Sequence, residues 1–178
     1  LDEDVREAAM KLSVFGRQVW DAGLDALGVK NTGEVMRTLT AAEVLVEQAS
    51  SRFKEAREWS FKHALTREVA YASLGEEQLK ALHTEAGQWL AKMGEDDATV
   101  ARHLELGGEP VKAAHYLEKA ARRALAASAL SEAVRLAEKA LDFAEDNPTQ
   151  FARAQLLDEA WVRLDARAGE RETAVRAM

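Results

Sequence analysis

The sequence contains no cysteine. That excludes a disulfide framework, a thiol nucleophile and any cysteine-based zinc site, and it fits a reducing cytosol. Proline occurs only at Pro110 and Pro148, and no long polar linker interrupts the chain. Aromatic residues make up just 6% of it, and alanine dominates the apolar set. Small residues let helices approach closely, so this composition favours helix-on-helix packing. No run of about 18 uncharged apolar residues exists, so no membrane-spanning helix is expected, and no secretory signal stands at the start. An excess of positive charge is missing too. The net charge is −7. The first 75 residues carry 10 basic and 12 acidic side chains, and the remainder 14 and 19. Neither part offers the positive field that phosphate neutralisation requires, and the acidic balance is that of an ordinary solubilising surface.

What is present is a globular composition, 47% hydrophobic and 31% charged, outside the range of disordered chains. A length of 178 residues fits one domain or two small ones. The chain opens on Leu1 without methionine and ends on the helix-forming "RETAVRAM", which leads us to expect a segment of a longer protein.

Apolar spacing organises the chain as mostly helix. "DEDVREAAMKLSVFG" predicts a first helix, with acids where the helix dipole favours them, a stripe of Val5, Ala8, Ala9 and Leu12, and an end at Gly16. "WDAGLDALGV" predicts a short second helix burying Trp20, Leu24 and Leu27. "NTGEVMRTLTAAEV" predicts a third, from Glu34 to Glu43, with Asn31 and Glu34 at capping-box spacing. The pattern then changes. Val44 to Glu47 is short and β-branched, and Arg57 to Lys62 alternates, with Trp59 and Phe61 on one side and Glu58 and Ser60 on the other. Two such runs around the loop "ASSRFKEA" predict a β-hairpin, which must lie on the helices before it because a lone hairpin is marginal in water. Three helices followed by a hairpin is the outline of a winged-helix domain.

From His63 onward the chain reads as helices. "HALTREVAYASL" predicts one with Leu65, Val69 and Ala72 on its stripe and Tyr71 and Leu74 beside it. "EEQLKALHTEAGQWLAKM" predicts another, burying Leu79, Leu82, Ala86 and Leu90. "DATVARHLELGG" follows. "PVKAAHYLEKAARRALAA" has proline at its first position, where no hydrogen bond is lost. "LSEAVRLAEKALDFAED" follows with Ser128 or Ser131 as its cap; Asn147 and Pro148 are expected to break the chain, and a last helix to run from about Thr149 to Arg167 with Leu157, Ala160, Trp161 and Leu164 on its stripe. Helix pairs on short turns invite comparison with the 34-residue tetratricopeptide repeat, TPR. Laid from Ala114, that pattern places Leu117, Ala120, Ala121 and Ala124 on one helix against Ala133, Ala137, Ala140 and Leu141 on the next. The flanking pairs are degenerate. The expected fold is therefore mainly α: a winged-helix-like domain with one short β-hairpin and a connector helix over residues 1–75, then a TPR-like α-hairpin solenoid over 76–178.

Residues that could carry chemistry do not assemble into a site. "GLDALGVKNT" imitates a phosphate-binding loop, but Val29 intrudes before Lys30, Asn31 stands where Ser or Thr is needed, and no buried strand precedes it. His63, His83, His103 and His115 include no i, i+4 pair of a helical zinc site. His63 is expected to bond the exposed backbone at a helix start, and His83 and His103 to pack between helices. "GEDDAT" reads as a helix cap. Ser50, Ser51 and Ser73 have no visible base or G-x-S-x-G context. No catalytic residue, metal or cofactor is expected. The third helix offers DNA only Arg37 beside Thr38 and Thr40, and the hairpin adds Arg52, Lys54 and Arg57 against Glu55 and Glu58, so on charge grounds nucleic-acid binding is not expected. For protein partners, His115, Glu118, Arg122 and Leu125 would lie on the concave side of the repeat.

"FKHALTREVAYASL", "LHTEAGQWL" and "ARHLELGGEPVKAAHYLEKAARRALAASALSEAVRLAEKAL", with the upstream "KLSVFGRQVW", together resemble a region of bacterial STAND-type signalling ATPases. In these an AAA-like nucleotide-binding domain precedes a winged helix and TPR-like repeats, often fused to serine/threonine kinase or nucleotide-cyclase domains. The resemblance spans nearly all of the chain, mostly through structural motifs, and the ATPase part is absent from it. It implies a non-catalytic, cytoplasmic regulatory module that contacts a protein partner or the parent's own ATPase or effector domains. A DNA-binding regulator fragment and an enzyme with an unrecognised site are the alternatives.

Overall fold

The computed structural model describes residues 2–176, with side chains as far as residue 167. Among the described residues it is mainly helical, with nine α-helices and one three-stranded sheet. The chain divides into two compact units, each with its own core.

The first unit comprises Leu1–Glu95 with Leu106–Gly108. Its order is α1 (Glu3–Leu12), a 3-10 turn, β1 (Gln18–Trp20), α2 (Asp21–Ala26), α3 (Thr32–Ala41), β2 (Leu45–Glu47), β3 (Glu58–Phe61), α4 (Ala64–Ala72) and α5 (Glu76–Lys92). Asp2 caps α1 by accepting the Val5 N–H at 2.9 Å. The expected hairpin forms, and β3 becomes the middle strand of an antiparallel sheet ordered β1-β3-β2. Its alternation works as the sequence implies: Trp59 and Phe61 are buried against α1 and α3 together with Val5, Leu12, Leu24, Met36, Leu39 and Leu45. Each fully buried side chain of that size contributes roughly 1.5–3 kcal/mol.

Strand β1 was not expected from the sequence, which places Trp20 at a helix start. "RQVW" is too short for a periodic signal of its own. Val19 pairs with Trp59 and Trp20 with Glu58, so the strand exists because β3 offers a free edge. The capping box at Asn31 also fails. Asn31 adopts a left-handed backbone (φ 55°) and its side chain caps nothing, whereas a capping residue needs extended geometry. The adjacent Thr32 hydroxyl instead bonds the Asp25 carboxylate. His63 precedes α4 without a side-chain cap. The stripe on α4 is inverted: Leu65 is 70% exposed and Val69 59%, while Leu74 is buried and Tyr71 partly so beside Leu82 and Ala86. A nine-residue helix can bury only one face, and the one carrying Tyr71 is fixed by its hydroxyl, 2.8 Å from Nε2 of the buried His83.

Helix α5 belongs to this unit, so the unit extends to Glu95 rather than stopping at residue 75. The reason is an aromatic cluster. Trp89 of α5 packs edge-on against Phe15 (5.4 Å) and Phe53 (5.5 Å), and Trp20 joins at 5.7 Å. Trp20 projects from the sheet face opposite Trp59, so α5 and the β2–β3 loop cover that face. Gly107 lies against Thr84 of α5, and a Cβ there would sit 2.3 Å from its hydroxyl oxygen and 2.8 Å from its backbone nitrogen.

The second unit comprises Asp96–Glu105 and Glu109–Met178. It contains α6 (Asp97–Leu106), α7 (Pro110–Ala126), α8 (Leu130–Asp142) and α9 (Asn147–Arg176). The seam between α7 and α8 is largely alanine: Ala121, Ala133, Ala137 and Ala140 are each 0% exposed. Leu156 and Ala160 bring α9 onto the same core. Neither Ser128 nor Ser131 caps α8; Ser128 takes a positive φ in the turn and Ala129 is the cap residue. Asn147 and Pro148 start α9 instead of breaking the chain before it, as proline in a first turn allows. Asp96 does cap α6, accepting the Ala98 and Thr99 N–H groups at 3.2 and 3.0 Å and the Thr99 hydroxyl at 2.8 Å.

Two predictions follow from these contacts. Gly107→Ala forces a backbone clash and should cost about 1–3 kcal/mol, whereas Gly33→Ala, which meets nothing within 4 Å, should be neutral or slightly stabilising in the same urea titration. Partial burial pushes the Asp96 carboxyl up, but its bonds to Thr99 and Ala98 outweigh this and hold it below the usual aspartate range. A depressed carboxyl stabilises above the unfolded-state value and loses that contribution as pH falls through the folded one. Asp96→Ala should therefore cost about 0.5–2 kcal/mol at neutral pH, with the gap from wild type closing below about pH 4 in thermal melts.

Candidate partner-binding surface

Four residues of α7 are the sequence-level candidates for partner contact, and their environments differ. His115 and Arg122 are exposed, and Glu118 is half-buried. Leu125 is 6% exposed and belongs to the hydrophobic core with Leu130 and Val134, so it is structural and presents nothing to a partner. Helical spacing alone places Leu125 near the edge of the stripe; α8, arriving after a three-residue turn, covers it.

Glu118 is the centre of the group. Arg122, one turn on, donates from Nη2 at 2.9 Å and Nε at 3.3 Å. From the other side comes Arg153 of α9, with Nε 3.9 Å from the second carboxylate oxygen. Arg153 is a contact of Glu118 that sequence reasoning missed. It is 6% exposed, its Nη1 donates to the Ala140 carbonyl at 3.1 Å, and its Nε has no hydrogen bond. Ala140 lies in the last turn of α8, where its carbonyl otherwise receives only the long Phe143 N–H bond of 3.4 Å among the backbone bonds of the described residues. The guanidinium thus serves as a C-terminal cap for α8 and a second counter-charge to Glu118. Its signal in the sequence is an arginine five residues after Pro148, placed between apolar positions of the next helix.

The result is a strip bearing the exposed His115 and the Glu118–Arg122 pair, with Arg153 buried beneath it. Tyr116 adds a ring beside His115 (5.7 Å) and under the Lys119 ammonium (5.2 Å). This combination can donate hydrogen bonds to carbonyls and carboxylates of a polypeptide. It has no nucleophile paired with a base. Among the described residues, no group of three or more His, Asp or Glu side chains is placed to hold a metal ion, and no helix is long and apolar enough to cross a membrane.

The second surface of interest is α3 with the hairpin. Between them lies a cleft of about 300 Å³ floored by Met36 and Trp59 and rimmed by Arg37, Glu47 and Arg57. Its cations are largely spent. Arg57 lies over the Trp59 ring at 5.0 Å and meets Asp21 at 3.3 Å and Glu47 at 3.6 Å. Arg52 meets Glu95 at 2.6 Å, and Lys62 meets Glu43 at 3.1 Å. Arg37 donates to the Gly33 carbonyl of its own helix. The loop itself is held down: Phe53 is 6% exposed between Trp20 and Trp89, and the Arg52 N–H donates to Glu58 Oε2, which also accepts from Trp20 Nε1. Such a loop is not free to follow a nucleic-acid groove.

No family model matches the chain, and neither a curated protein nor a solved structure matches it.

The arginine at position 153 gives a direct test. Replacing a buried charge by an apolar side chain of similar volume is often neutral or stabilising, while truncating it opens a cavity. Arg153→Met should unfold in urea within about 1 kcal/mol of wild type, and Arg153→Ala should lose about 2–4 kcal/mol. Equal losses for both would show that the guanidinium's bond to Ala140, not its packing, holds α9.

Proposed function

We propose that the chain is a non-catalytic regulatory and protein-interaction module: a winged-helix-like unit followed by TPR-like helices, from a larger bacterial signalling ATPase of the STAND type. The observation that carries the interaction reading is the alanine seam of α7, α8 and α9. It consumes small side chains for packing and leaves a polar strip of His115, Glu118 and Arg122 outward, an economy suited to contact rather than to chemistry. The N-terminal order of helix, strand, helix, helix, strand, strand, with the sheet arranged β1-β3-β2, supports the winged-helix-like part. Within this reading α4 links the returning strand to the helices beyond, and the module relays the nucleotide state of an ATPase domain or holds an effector domain inactive by docking on it.

DNA binding is the weaker reading. A winged helix reads the major groove with its third helix, but α3 supplies only Arg37, the hairpin loop adds Lys54 beside Glu55, and Arg52, Arg57 and Lys62 each meet an acid. Phosphate contacts supply most non-specific affinity, so little remains.

A photo-crosslinking residue at position 115 or 122, introduced into the parent protein in its cell of origin, should yield discrete adducts with a polypeptide, either a separate partner or another domain of the parent. The same residue at position 54, in the hairpin loop, should yield none. Absence of adducts at 115 and 122 would remove the reading. Titration with random duplex DNA at about 50 mM salt should give no complex below micromolar protein, and a complex that weakens steeply with salt would favour the DNA alternative.

A further inference from the structure

Helix α9 carries a second apolar stripe that its own unit leaves uncovered. One face, with Arg153, Leu156 and Ala160, is buried on the core. On the opposite side Phe151 is 66% exposed, Trp161 43% and Val162 61%. Isolated exposed apolar residues need no explanation, but a run of large ones on one helix face does. Positions 151, 154, 158, 161, 162 and 165 share that face by helical spacing, and from Phe151 to Asp165 it spans about 21 Å at 1.5 Å per residue. The expectation that Trp161 lies inward is thus corrected: Leu156 takes the inward position, and Trp161 turns out.

The two acids on this face decide what fits it. Asp158 and Asp165 are exposed and seven residues apart, two helical turns, and neither forms an ion pair among the described residues. The neighbouring arginines are engaged elsewhere. Arg163 pairs with Glu159 at 2.6 Å, and Arg167 donates to the Ser128 carbonyl at 2.9 Å. The face is therefore apolar with two uncompensated negative charges at a heptad-like interval. A second copy of this chain is a poor occupant, because two such faces would bring like charges together in a protein already at −7. We propose that the outer face of α9 docks an amphipathic helix of a protein partner, about four turns long, with leucine-like residues along its stripe and Lys or Arg spaced seven apart beside it. Apolar contact with Phe151, Trp161 and Val162 supplies the affinity, and Asp158 and Asp165 set the register and reject acidic helices. This goes beyond the α7 strip and does not depend on it.

Tryptophan emission gives a local readout. Trp20, Trp59 and Trp89 are 3%, 2% and 8% exposed, so acrylamide quenching reports chiefly on Trp161, and a Trp161→Phe variant defines the remainder. The probes are two synthetic 18-residue helical peptides with the same leucine stripe, one carrying Lys and the other Glu at the seven-residue positions. The Lys peptide should protect Trp161 with Kd below about 100 μM and the Glu peptide should bind at least about tenfold more weakly. The double variant Asp158→Lys, Asp165→Lys should invert that preference while melting as wild type does. Equal affinity for both peptides, or no protection by either at millimolar concentration, would overturn the proposal. So would Trp161 protection that grows with protein concentration alone and tracks a doubled mass in sedimentation, since that assigns the face to a second copy.

Discussion

The first unit depends on the two-residue period of β3. Because successive side chains of a strand point to opposite faces, the four residues from Glu58 to Phe61 must satisfy two environments at once. Trp59 and Phe61 enter the core made by α1, α2 and α3. Glu58 faces the other way, receiving the Trp20 indole N–H and the loop N–H of Arg52. A register slip of one residue would exchange these roles, placing a carboxylate among leucines and forcing two more aromatics onto the face already filled by Trp20, Phe53 and Trp89. Both edges of β3 are occupied, by β1 and β2, so the register is fixed from two sides.

The second unit obeys a different constraint. Its helices approach closely along alanine, while Leu117, Leu125, Leu130, Leu136 and Leu156 fill the core around that seam. Such a seam tolerates almost no enlargement, because a methylene added at Ala121 or Ala137 has nowhere to go. The polar residues on its surface are correspondingly unconstrained by packing. Arg153 is the exception, a charge held inside by the Ala140 carbonyl and the Glu118 carboxylate.

How much of this was legible in the sequence follows from where the signals are strong. Period-2 alternation in "REWSFK" announced β3, and its hydrophobic partners were the right ones. The alanine spacing of α7 and α8 announced their pairing, and "GEDDAT" announced the cap on α6. Long-range effects escaped. Strand β1 has three residues and exists only because β3 needs a neighbour. The inversion of α4 was invisible because Leu65, Val69 and Ala72 make a better apolar stripe than the face actually used, which is chosen by the Tyr71–His83 bond across twelve positions. Of the α7 strip, His115, Glu118 and Arg122 lie on accessible surface, while Leu125 was lost to a core that only the position of α8 defines. Arg153 could not be foreseen as a partner of Glu118, since their proximity arises from the stacking of α9.

The seating of Phe53 between Trp20 and Trp89 has an evolutionary corollary. Hairpin loops ordinarily absorb insertions and deletions, because their tips touch only solvent. This one ends in an anchor whose position is counted in residues from both strands. Lengthening it by one residue on either side of Phe53 would withdraw the ring from its socket and uncover Trp20. The segment from Gln48 to Arg57 should thus drift in the identity of its polar residues while keeping its length, behaving across descendants of this chain more like a strand than like a turn.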